Sequence, residues 1–158
     1  MKFVNIGIGE YAVTNDAEME LRTYALGSCV ALIIFDARSK VAGLAHLALP
    51  DSKLGTEDHN KLPCYYVDTG VKHLVNEVIE SGGNPNKKLL TVKLVGGISP
   101  MKSAIGKRNV LKVRQVLWQL GMGCHAEDVG GDTIRTVFFN MENLALKVKS
   151  PNGEKWEI

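Results

Sequence analysis

The chain has no apolar stretch near the roughly 20 residues that cross a bilayer as a helix. Its longest apolar run, Cys29 to Phe35, has the length of a buried strand. Charge of one sign is also lacking. Nineteen Lys and Arg stand against 17 Asp and Glu, a net charge of +2, and the basic residues are spread along the sequence. That argues against a nucleic-acid binder, which concentrates cations on one face. Cysteine is scarce and odd in number: Cys29, Cys64 and Cys124. Three thiols make no disulfide framework, so each is core filler, metal ligand or nucleophile. The opening MKFVNIGIGEY has one Lys, a Gly-interrupted apolar patch and Glu10, with no small-residue cleavage site. No signal peptide is read there, and a cytoplasmic location is expected.

What is present is the composition of a folded domain, 45% hydrophobic and 23% charged over 158 residues. One domain over residues 1–158 is expected, with enough chain for a single core. Residues 3–14 and 20–25 read as short strands. Cys29–Phe35 and Val41–Leu49 are apolar runs around the polar Asp36-Ala37-Arg38-Ser39-Lys40, the pattern of a hairpin. Residues 51–62 are polar and read as a loop. From Pro63 to Ser81, Val67, Val71, Leu74, Val75, Val78 and Ile79 recur at helical spacing, and Gly82-Gly83 supplies a stop. Leu89–Val95 reads as a strand. Gly106–Leu120 fits a second helix closed by Gly121. Segments 124–129, 134–140 and 144–149 read as strands. Strands come first, two helices sit in the middle and strands close the chain, which predicts α+β rather than regular βαβ alternation.

Chemistry concentrates in Thr23-Tyr24-Ala25-Leu26-Gly27-Ser28-Cys29 and in His46. A thiol attacks as its thiolate and needs a base or a positive field nearby. Gly27 permits a tight turn and Ser28 is small, which would leave the Cys29 sulfur at the mouth of a strand with free N–H groups for an oxyanion. If the hairpin turns at residues 36–40, pairs summing to 75 set residue 29 opposite 46. Thr23 could then fix the imidazole tautomer. The bland reading keeps its weight here. A Cys in an apolar run is usually a small core residue, and a His on a strand is usually structural. Pattern alone leaves both readings open.

LGSCVAL, followed seventeen positions after its Cys by the His of AGLAHLALPDS, resembles the chemoreceptor glutamine deamidase (CheD) family. IGIGEYAV (6–13), KLVGGISPM (93–101), IGKRN (105–109) and DVGGDTIRTVFF (128–139) are similar to further family signatures, in the same order. Two departures occur: Ile98 follows the paired glycines where a small residue is usual, and Asp132-Thr133-Ile134-Arg135 replaces a commoner Gly-Arg turn. The resemblance implies layered mixed and antiparallel sheets with two main helices, similar to the catalytic domain of cytotoxic necrotizing factor toxins. It implies Cys29 as nucleophile, His46 as general base and acid, and Thr23 as third member, with Gly27 and Ser28 near the oxyanion. The implied reaction is that of a protein-glutamine glutaminase: receptor Gln becomes Glu through a Cys thioester, with release of ammonia and no cofactor or metal. The implied partners are methyl-accepting chemotaxis receptors. Some family members also methylesterify, or are bound by the phosphatase CheC, which competes with receptor. A non-catalytic adaptor that docks on receptors or CheC is the alternative.

The remaining candidates are weaker. His59, Cys64, His73, Cys124 and His125 show no CxxC or HxxxH spacing, so no zinc site is expected. The glycine pairs at 96–97 and 130–131 lack a phosphate-loop context and read as turns or close backbone packing. Lys107-Arg108 reads as a solvated helix start or as a contact for an acidic receptor surface. Asp51-Ser52 reads as turn chemistry that could line a groove. Trp118 and Trp156 are expected in core and tail packing respectively.

Overall fold

The computed structural model describes residues 1–55, 62–100 and 102–158. Ten strands and two helices follow in order: β1 Lys2–Asn5, β2 Tyr11–Thr14, β3 Met19–Leu26, β4 Val30–Asp36, β5 Val41–Leu47, α1 Val67–Glu80, β6 Thr91–Gly96, α2 Ile105–Gln119, β7 Ala126–Val129, β8 Arg135–Asn140, β9 Ala145–Lys149 and β10 Lys155–Glu157. A central sheet runs β2-β5-β4-β6-β7 and an outer sheet runs β1-β3-β8-β9-β10. Each has one parallel pair, β6 with β7 and β1 with β3, among antiparallel ones. Both sheets are thus mixed, and with two helices the class is α+β.

The unbroken apolar runs explain the layering. Every residue of β4 and β5 is buried, as happens when a strand is covered on both faces. Val30, Leu32, Ile34, Ala45 and Leu47 face the two helices, with Leu74, Val78, Val113 and Leu117 across from them. Ala31, Ile33, Phe35, Ala42 and Leu44 face the outer sheet, meeting Leu21, Val137, Phe139 and Leu146. The outer sheet has one wet face, and β8 alternates buried and half-buried side chains accordingly. The order is helices, central sheet, outer sheet.

Differences from the sequence reading have local causes. The 3–14 segment is two strands in different sheets. The chain changes layer across Ile6–Glu10, where Glu10 N–H donates to the Gly7 carbonyl and the Glu10 carboxylate accepts from Gly7 N–H. The first helix begins at Val67 rather than Pro63, because residues 65 and 66 are spent on the end of β5. The Tyr65 carbonyl accepts from Ala48 and Leu49 N–H, and Leu49 bridges Tyr66. Within 51–62, Ser52–Leu54 makes a short 3-10 turn, and residues 56–61 lie outside the described residues. The β10 strand was not anticipated; it pairs antiparallel with β9. Helix α2 ends as expected: Gly121 has φ +74, its N–H donates to Trp118 O and Met122 N–H to Leu117 O, the paired bonds of a Schellman close. Trp118 is not core but 79% exposed. The buried stripe of α2 runs through Val110, Val113, Val116 and Leu117, so Trp118 shares the outer face with Leu111 and Arg114.

One close approach sets the position of α2. A Cβ on Gly106 would lie 2.0 Å from the Ile98 carbonyl oxygen, so the first turn of the helix rests directly on the loop leaving β6. Gly106→Ala is predicted to destabilise the fold by about 2 kcal/mol or more, the cost of forced overpacking. Urea unfolding checks it. Wild-type stability in the variant would mean that this contact yields easily.

Candidate active site

The hairpin register places the chemistry. Observed pairs of β4 and β5 sum to 77, with Ala31 opposite His46 and Val30 opposite Leu47. The expected sum of 75 is corrected by two, because Asp36 still pairs, with Val41, and the four-residue turn Ala37 to Lys40 is centred one residue later. A shift of two preserves facing. Cys29, one residue before β4, is therefore diagonal to His46 on the same face of the sheet. That face looks toward the outer sheet, where Thr23 of β3 points inward.

Thr23 and His46 meet across the two sheets. Thr23 is fully buried and His46 is 3% exposed. The Thr23 Oγ1 to His46 Nδ1 distance is 2.6 Å, and Thr23 Oγ1 lies 2.6 Å from the Ile6 carbonyl oxygen. A hydroxyl has one proton, and a carbonyl can only accept it. Thr23 therefore donates to Ile6 and accepts from Nδ1–H. The network assigns the proton to Nδ1 and leaves a lone pair on Nε2. Nε2 is buried and makes no hydrogen bond among the described residues, Cys29 included. The backbone holds the ring further: His46 N–H donates to Glu10 O, and His46 O accepts from Gly9 N–H. The layer change at Ile6–Glu10 thus reaches His46 twice, through Thr23 and through the His46 backbone.

Burial dominates the titration. It lowers the His46 imidazolium from 6.5 to about 4 and raises the half-buried Cys29 thiol above its usual 9.0, opposed by the Cys29 backbone N–H. At neutral pH the pair rests as thiol and neutral imidazole. Cys64 is pushed up to about 12 and Cys124 to about 11, both chiefly by burial. Their sulfurs face the backbone carbonyls of Gly70 and of Val92 and Ala126. Packing accounts for them.

The segment before Cys29 is built differently from expectation. Gly27 does not supply the left-handed residue; Ala25 does, at φ 56, where β3 breaks register between Thr23 and Leu26. A Cβ on Gly27 would meet nothing within 4 Å, so open space lies beside it. The glycine pair 96–97 serves close packing: a Cβ on Gly96 would fall 2.4 Å from the Cys29 carbonyl oxygen. Gly130 and Gly131 form a left-handed turn, φ +74 and +70, closed by Arg135 donating to Gly130 O at 2.9 Å and pairing with Asp128 at 3.2 Å. Asp51 caps the 3-10 turn, and Ser52 donates to Asp68 through both its N–H and its hydroxyl. Among the described residues no three His, Cys, Asp or Glu side chains could hold a metal ion; His59 lies outside them. No described helix is long and apolar enough to cross a membrane.

Sequence reasoning missed Asn109. It is fully buried in α2, and its Nδ2 donates to Ser28 O at 2.9 Å and to Ala48 O at 3.0 Å. A signal was present: Asn109 sits one turn before Val113 on the stripe that is otherwise apolar or glycine, and a polar residue at a core position needs a reason.

The depressed imidazole has a pH consequence. Between pH 6.5 and about 4 the unfolded chain binds a proton at His46 that the folded protein refuses. Stability from this group is whole above pH 6.5 and is lost as pH falls toward 4, by on the order of 3 kcal/mol. In an imidazole nitrogen NMR titration, His46 is predicted to carry its proton on Nδ1 and to stay neutral as pH drops through 6.5. A ring that charges near 6.5, or that is protonated on Nε2, would contradict the network.

The family model for CheD, described as CheD chemotactic sensory transduction, matches residues 48–150, which excludes Thr23, Cys29 and His46. Full-length relatives include that segment. The probable chemoreceptor glutamine deamidase CheD of Syntrophotalea carbinolica is 41% identical over 157 residues, 97% of each chain. The chemoreceptor glutamine deamidase CheD of Thermotoga maritima is also 41% identical over 157 residues, 97% of this chain and 96% of its own. The probable enzyme of Caldanaerobacter subterraneus is 38% identical, covering 94% and 93%. With identities of this size along almost the whole length, the chain belongs to the CheD family.

Proposed function

We propose that this protein deamidates glutamine side chains of chemotaxis receptors in the cytoplasm, with Cys29 as nucleophile and His46 as base. The observation that carries this reading is the relay Ile6 O, Thr23 Oγ1, His46 Nδ1. It leaves a bare, buried Nε2 on the sheet face that Cys29 shares. An apolar interlayer gains nothing from a half-satisfied imidazole; a base gains its lone pair.

The chemistry follows from the resting charges. As the thiol attacks the substrate carboxamide carbon, Nε2 takes its proton. The step starts uphill, from a raised thiol to a lowered imidazole, but each charge formed stabilises the other once the pair exists. Dry surroundings strengthen that attraction. Thr23 Oγ1 accepts from Nδ1–H throughout, so the imidazolium keeps its orientation. The tetrahedral oxyanion collapses and expels the amide nitrogen, which leaves as ammonia with the proton from Nε2. A thioester between Cys29 and the former glutamine remains. His46 then deprotonates water, which adds to the thioester, and the products are a Glu side chain and free Cys29. Metal and cofactor have no part in these steps. The alternative is an adaptor that docks on receptors or on CheC without chemistry.

The test uses a cytoplasmic fragment of a methyl-accepting receptor. Wild-type protein is expected to release ammonia and add about one dalton per converted glutamine, and Cys29→Ala to do neither. Thr23→Ala, which frees the ring, is expected to lower kcat by about 10²-fold. Equal conversion by wild type and Cys29→Ala would end the nucleophile assignment. Receptor binding and restored chemotaxis by Cys29→Ala would favour the adaptor.

A further inference from the structure

Three consecutive carbonyls around the nucleophile are held from one side. Gly27 O accepts from Ile98 N–H at 2.8 Å, Ser28 O from Asn109 Nδ2 at 2.9 Å, and Cys29 O from Gly97 N–H at 3.0 Å. All the donors belong to the loop after β6 and the first turns of α2. Only the middle anchor is a side chain. The peptide bonds here are trans, so in each plane the N–H points opposite to the C=O. Holding Ser28 O fixes the direction of the Cys29 N–H, away from Asn109. Cys29 precedes the first paired residue of β4, and its N–H donates to no other residue among those described. It acts on its own sulfur, where it favours the thiolate. It therefore lies on the reacting side.

We infer that Asn109 is a positioning residue for the reaction: by gripping the Ser28 carbonyl it aims the Cys29 N–H at the oxyanion of the tetrahedral intermediate. This rests on the deamidase reading above. Asparagine suits the place because one nitrogen must serve two carbonyls. Ser28 O and Ala48 O both accept from Nδ2, which also ties the strand end behind Cys29 to the strand end beyond His46. An aspartate would set a carboxylate against two carbonyl oxygens, and a leucine would fill the volume with no donor. The Oδ1 of Asn109 is buried and makes no hydrogen bond among the described residues, so the side chain is kept for its two donors.

The test separates aiming from scaffolding. Asn109→Ala and the near-isosteric Asn109→Leu are assayed beside wild type for ammonia release from the receptor fragment and for alkylation of Cys29 by iodoacetamide across pH. Alkylation needs the thiolate but builds no oxyanion. The expected result is kcat lower by about 10²-fold in both variants, the cost of losing one oxyanion donor, with KM within about threefold. The alkylation profile should keep the wild-type plateau and move up by no more than about one pH unit, because the released Cys29 N–H also favoured the thiolate. Should Asn109→Ala fail to fold, Asn109→Leu carries the comparison, since it keeps the packing. Activity restored by leucine would mean that Asn109 only fills space, and parallel loss of alkylation and deamidation would mean a general scaffold; either overturns the inference. Wild-type protein that releases no ammonia overturns the deamidase reading first, and the aiming role with it.

Discussion

Deep in the apolar layer between the two sheets lies one polar contact on which much depends: the 2.6 Å hydrogen bond from His46 Nδ1–H on β5 to Thr23 Oγ1 on β3. Both partners are buried, where an unpaired polar group costs about 1–3 kcal/mol. The contact forms only if the outer sheet sits in one register over the central sheet. It also needs the chain to change layers at Ile6, whose carbonyl takes the threonine proton. Layer order, strand register and imidazole tautomer thus share one constraint. Slipping either sheet by one residue would turn Thr23 or His46 to the wrong face.

Burial gives the site its resting character. The interlayer that fixes His46 also drains its basicity to about 4 and lifts the Cys29 thiol. A preformed thiolate–imidazolium pair does not suit such a place; a neutral pair that exchanges its proton during attack does. The two other thiols are also pushed up by burial, but their sulfurs face backbone carbonyls rather than the sheet face that carries His46. In the proposed reaction, partner and face rather than residue type alone decide which thiol attacks.

The fold was legible where local pattern decides it. The double-sided burial of Cys29–Phe35 and Val41–Leu47, the apolar spacing of Val67–Val78 and the close at Gly121 are written in composition and period. What sequence could not show were features set by contacts distant in the chain. The start of α1 is delayed by the pairing of residues 65 and 66 with the end of β5. Trp118 is large and apolar, yet its angle on α2 leaves it in solvent. Thr23, Cys29 and His46 were marked by a family resemblance, because periodicity alone could not choose between core and catalysis. Asn109 lay inside a quoted signature with no role, since its two carbonyl partners are 81 and 61 positions away. The hairpin register erred by two because the polar Asp36 pairs as the last residue of β4, which moves the turn by one residue, and apolar runs do not mark that.

In the proposed reaction the sulfur of Cys29 carries the acyl group. The direct measurement is intact-mass spectrometry of the protein, acid-quenched within one turnover of mixing with the receptor fragment, followed by mapping of the modified residue. A thioester adduct on Cys29 is expected, equal in mass to protein plus fragment less ammonia. Conversion of glutamine with no adduct, or an adduct on Cys64 or Cys124 instead, would contradict it.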